Sequence, residues 1–86
     1  MSNIAYNHED FVPESVKDGL NEYVKDRNIS SSFLLACLEN DLMGAVSRAD
    51  FTNRGHLVDI MRYIYWELPS NCWGSKEKVA AWLEDA

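Results

Sequence analysis

Apolar residues along this chain recur at intervals of three and four, and nowhere do they alternate over the length of a strand. Val12, Val16, Leu20, Tyr23 and Val24 keep one helical phase. Pro13 stands where a first-turn proline is tolerated, and Glu14 complements the positive end of the helix dipole, so the first helix is predicted from about Pro13 to Arg27. Gly19 inside it costs about 1 kcal/mol relative to alanine, which marks either a close approach by another part of the chain or a weak point.

Asn28, Ser30, Ser31 and Ser32 form a turn whose last hydroxyls can accept the free N–H groups of a second helix. Leu34 or Leu35, Leu38, Leu42, Ala45, Val46 and Ala49 then hold one phase through Asn40-Asp41, which favours a single long helix. The alternative is a left-handed C-cap at Asn40, with Asp41 capping a third segment. Asp50 to Asn53 make the next corner, with Thr52 as the expected N-cap of a core helix carrying Leu57, Ile60, Met61, Ile64 and Leu68. That helix stops at Pro69, and after the corner Ser70-Asn71-Cys72-Trp73-Gly74-Ser75 a last helix is capped by Ser75 and lined by Val79, Trp82 and Leu83. Short links and helical periods throughout predict an all-α fold, a compact bundle of four or five helices.

With 86 residues, 47% of them apolar, the chain supports one small core and no second domain. The reading is an N-terminal arm at 1–11, which Tyr6 and Phe11 are placed to pin to the body, followed by a single helical domain at 12–86. Fourteen acidic residues against eight basic ones give a net charge of −6, which works against general nucleic-acid binding and against an anionic membrane surface. No apolar run approaches the roughly 20 residues of a spanning helix, and the polar first ten residues do not read as a secretory leader. Cys37 and Cys72 lack a Cys-x-x-Cys partner or a His cluster, which fits reduced thiols in a cytosol.

Candidate chemistry is sparse. His8 and His56 are far apart and neither has an acidic residue four positions on, so no metal site and no catalytic set is predicted. The four glycines are scattered singly, with no phosphate loop and no cofactor fingerprint. The expectation is a protein that is not an enzyme and carries no cofactor.

Contact surfaces are better marked. Glu14, Asp18, Glu22 and Asp26 recur every four residues and form a carboxylate row on the order of 18 Å long. Its ordinary reading is a solvated face softened by Lys17 and Lys25; its sharper reading is an acidic docking face for a basic protein. On the core helix Val58, Arg62, Tyr65 and Trp66 fall away from the apolar seam, and Arg, Tyr and Trp dominate interface hot spots. Arg62, Tyr65, Trp66 and Trp73 are therefore the candidate partner-binding residues, against the plainer reading that the arm or the last helix covers this face. At the corner, Trp73 is expected to tuck under the last helix as a staple, with Gly74 as the turn and Ser75 as the cap. The alternative groups Arg54, Arg62, Asn71 and Trp73 around an anionic ligand such as a nucleotide.

Ser32-Phe33-Leu34, the run Leu38-Glu39-Asn40-Asp41-Leu42 followed by Ala45, Arg48, Ala49, Asp50 and Asn53, and Trp73-Gly74-Ser75 followed by Val79 and Trp82 carry a resemblance. From Val12 to Leu83 the chain resembles short proteins encoded by tailed bacteriophages and prophages. The resemblance implies a setting and no reaction: a phage accessory product in a bacterial host cytoplasm that binds a host protein or complex, with inhibition of host defence among the roles of such products. Two alternatives stand beside it, a homo-oligomeric sponge that sequesters a nucleotide signal and a structural or morphogenetic phage component.

Overall fold

Residues 11–85 are described by the computed structural model. They form α1 (Glu14–Asp26), α2 (Ser32–Leu38), α3 (Leu42–Arg48), α4 (Phe51–Arg54), α5 (Leu57–Glu67), a 3₁₀ turn at Ser70–Cys72 and α6 (Lys76–Glu84). No strand occurs among the described residues, so the all-α expectation holds. The predicted arm lies outside them except for Phe11, as do Tyr6 and His8. Among the described residues six helices stand where four or five are expected, because two expected helices are each broken once.

The first break is at Asn40. Its φ of 62° is left-handed, Asp41 N–H donates to Ala36 O at 2.9 Å and Asn40 N–H donates to Cys37 O at 3.2 Å. This paired arrangement is a Schellman C-cap, with asparagine in the position glycine usually takes. The Asp41 carboxylate then accepts the Gly44 N–H at 3.0 Å and starts α3. The single helix favoured by apolar phase is thus corrected to α2 and α3. Local capping chemistry outweighs a continuous period, because each cap satisfies backbone groups that would otherwise lack partners.

The second break is at Gly55-His56. Asp50, and not the expected Thr52, is the N-cap: its extended backbone lets the carboxylate accept the Asn53 N–H at 2.7 Å. Thr52 already lies inside α4. Gly55 and His56 bond back three residues to Thr52 O and Asn53 O, a tight turn that ends α4 and lets α5 start afresh.

The core consists of Leu20 and Tyr23 from α1, Leu34, Cys37 and Leu38 from α2, Ile60 and Ile64 from α5, Cys72 from the corner and Val79 from α6, all buried. Gly19 serves a close approach, since a Cβ there would stand 2.8 Å from Leu34 Cδ1. The corner is stitched onto α2: Gly74, at φ 117°, donates its N–H to Leu38 O at 2.7 Å. Ser75 caps α6 as expected, accepting the Lys78 N–H at 3.1 Å.

One consequence of the Asn40 break concerns the surface. Leu42 and Val46, expected in the core, are 61% and 45% exposed, and α3 buries only Ala45. Restarting the helix at Asp41 turns its apolar stripe outward.

Candidate functional site

α5 has two faces. Ile60 and Ile64 point inward and are fully buried, while Val58, Arg62, Tyr65 and Trp66 point outward and are exposed. These outward positions fall three and four residues apart, which keeps them on one side of a 3.6-residue turn. Pro69 ends the helix, and the 3₁₀ turn brings Trp73 back beside that side.

The rings there touch edge to face. Tyr65 and Trp66 have centroids 4.9 Å apart at 85°, and Tyr65 and Trp73 have centroids 5.8 Å apart at 62°. Both geometries set the positive edge of one ring against the negative face of the next. Trp73 is half-buried, leaning on the core as well as on Tyr65, so it is shared between fold and surface. Its Nε1 is buried with no acceptor among the described residues.

Leu42 closes the arrangement from α3. Leu42, Val58, Met61, Arg62, Trp66 and Trp73 border one open groove of about 530 Å³. All four residues expected to bind a partner, Arg62, Tyr65, Trp66 and Trp73, line it. Leu42 was missed, because continuous helical phase assigned it to the core; the pair Asn40-Asp41 carried the signal that would have exposed it.

The residues expected around an anion are not gathered. Arg62 and Trp73 share the groove, but Arg54 borders a separate concavity with Phe51, Thr52, Gly55 and His56, and Asn71 is exposed on the 3₁₀ turn without lining the groove. Phe51 at that second concavity is 87% exposed. The acidic row Glu14, Asp18, Glu22 and Asp26 is exposed on α1 throughout, and Glu22 accepts a hydrogen bond from Asn28 Nδ2 at 2.6 Å.

His56 and two thiols also lie among the described residues. His56 Nδ1 faces the Asp59 carboxylate at 3.7 Å, too long for a hydrogen bond. Cys37 and Cys72 are unbridged and buried. Burial pushes the Cys37 thiol up to about 12 and also raises Cys72, which donates to Pro69 O at 3.1 Å. Thiols held this far toward the protonated form are poor nucleophiles at neutral pH. Among the described residues no three His, Cys, Asp or Glu side chains cluster to hold a metal ion, and no helix is long and apolar enough to cross a membrane.

The chain matches no protein-family model, no curated protein and no solved structure.

Proposed function

We propose that this protein works by docking onto another protein through the groove between α3, α5 and the α5–α6 corner. One observation carries the reading: Arg62, Tyr65, Trp66 and Trp73 converge with Leu42 on a single open apolar face. Aromatic rings and arginine contribute most per residue when an interface closes over them, and a contiguous exposed apolar patch marks an interaction site. The setting suggested by the phage resemblance makes the partner a host protein or complex in a bacterial cytoplasm, with a component of host defence as one such target. A chain of net charge −6 offers little to a phosphate backbone, which agrees with a protein partner.

The nucleotide-sequestering alternative asks Arg54 and Asn71 to join Arg62 and Trp73, and a single chain leaves Arg54 in a different concavity. The docking reading needs no such rearrangement. Its test is capture of host proteins from a bacterial lysate by the tagged chain and by an Arg62→Ala, Trp66→Ala variant whose melting temperature is measured in parallel. The expected result is a host protein captured by the parent and lost by a variant that still folds. Equal recovery of every protein by both removes this face from consideration.

A further inference from the structure

We infer that in the absence of a host partner the groove is closed by a second copy of this chain, with two α5 helices packed antiparallel about a two-fold axis. The inference rests on reading the groove as a docking surface and names its occupant in the free protein.

Self-complementarity is the first argument. Arg62 and Trp66 stand one turn apart on the outward side of the eleven-residue α5. A two-fold axis crossing the helix midway between them, at the level of Ile64, sets each Arg62 against the partner copy's Trp66, and does so twice by symmetry. Guanidinium over indole is a favourable pairing that strengthens as water is excluded. One face thus presents both the cation and the aromatic acceptor that an isologous contact requires.

Area is the second argument. Tyr65 and Trp66 are 60% and 64% exposed, and Leu42 and Val58 are 61% and 69% exposed. With rings of roughly 150–250 Å² each, and with Val46 one turn beyond Leu42 on α3, the face leaves on the order of 500 Å² of apolar surface uncovered. That lies at the upper end of the largest patch a monomer carries, about 300–600 Å². Adding the arginine stem and the polar rim approaches the roughly 800 Å² per partner of a stable interface.

The experiment is sedimentation of the 86-residue chain across a dilution series, with single variants and cysteine crosslinking beside it. The parent is expected at twice the monomer mass. Arg62→Glu and Trp66→Ala are each expected to weaken association by about tenfold or more, while Arg54→Glu, away from the groove, leaves it unchanged. Under oxidation Tyr65→Cys is expected to crosslink to a dimer, because an axis at Ile64 brings the two copies of position 65 within about 3 Å along the helix direction. Val58→Cys is expected not to, its two copies lying about 18 Å apart along that direction. A parent that stays monomeric at every concentration overturns the inference. So does a dimer that Arg62→Glu and Trp66→Ala leave intact, or a monomer in which Trp66 is shielded from a collisional quencher, since another part of the chain then covers the face. A monomer whose Trp66→Ala variant loses a captured host protein sinks only the second copy as occupant; a groove-dependent dimer whose host capture survives the same change sinks only the host-docking reading.

Discussion

The phenol of Tyr23 donates to the backbone carbonyl of Cys72 at 2.6 Å, a buried hydrogen bond between residues 49 positions apart. The carbonyl of Tyr23 in turn accepts two N–H groups, from the Arg27 backbone and from Trp82 Nε1, each at 3.0 Å. Arg27, held left-handed at φ 53°, lays its guanidinium 3.7 Å from the centre of the Trp82 ring and donates to Trp82 O at 3.1 Å. The end of α1, the corner and α6 are joined through these few groups. Because Trp73 follows Cys72 directly, the same joint fixes where the groove has its wall.

Tyr23→Phe tests the joint. The substitution keeps the ring and leaves the Cys72 carbonyl buried without its donor, which costs about 1–3 kcal/mol. For a domain of this size that is a fall of about 4–8 °C in melting temperature per kcal/mol, read by circular dichroism. Asp85→Ala should cost far less. Its carboxylate meets Arg27 at 3.5 Å but is largely exposed, and pairs of that kind contribute about 0–1 kcal/mol.

Alkaline pH should weaken the same region. Burial, with the neighbouring Cys72 second, raises the Tyr23 phenol above its ordinary 10.0, and burial raises Cys37 from 9.0 to about 12. A group whose folded value is raised binds its proton more tightly when folded, so its stabilising contribution is complete below the unfolded value and is lost as pH rises above it. Stability should therefore be unaffected by these groups below about pH 8 and should fall from about pH 9 upward. Melting temperatures between pH 7 and pH 11 check this, and Tyr23→Phe should flatten part of the slope.

Asn40 supplies a separate test of the fold. At φ 62° it holds the only left-handed position among the described residues that separates two helices of one apolar phase. Asn40→Gly should be neutral or slightly stabilising, while Asn40→Val should cost about 1–2 kcal/mol because a branched Cβ meets its own carbonyl in that conformation. Urea titration of the three proteins gives the comparison.

Much of this architecture is legible in the residue pattern. Val16, Leu20 and Tyr23, then Ile60 and Ile64, then Val79 are buried as helical spacing requires, and Ser31 and Ser75 cap the helices they precede. Periodicity alone misleads at Leu42 and Val46. Apolar phase records which residues share a side of an unbroken helix, and it carries no information about a left-handed residue that swings the following turn outward. The aromatic face was readable because Arg62, Tyr65 and Trp66 fall off the buried stripe of α5. The addition of Leu42, and the separation of Arg54 from Trp73, depend on how α3 and α4 are turned, which is set by the caps at Asp41 and Asp50.

The groove residues should separate contact from stability. Trp66 and Val58 make most of their area available to solvent, so Val58→Ser should change stability by no more than about 0.5 kcal/mol, and Trp66→Ala, which also loses the ring contact with Tyr65, by no more than about 1.5 kcal/mol. Ile64, one helical face away and fully buried, should cost about 2–5 kcal/mol on change to alanine through lost contacts and the cavity left behind. Denaturant titrations of the three variants at a single low protein concentration, where association contributes least, provide the measurement. If Trp66→Ala proves as damaging as Ile64→Ala, the indole is part of the core's support, and its exposure would no longer argue for a partner. If instead stability is retained, the fold does not depend on the indole, which is the condition the docking proposal requires of a contact residue.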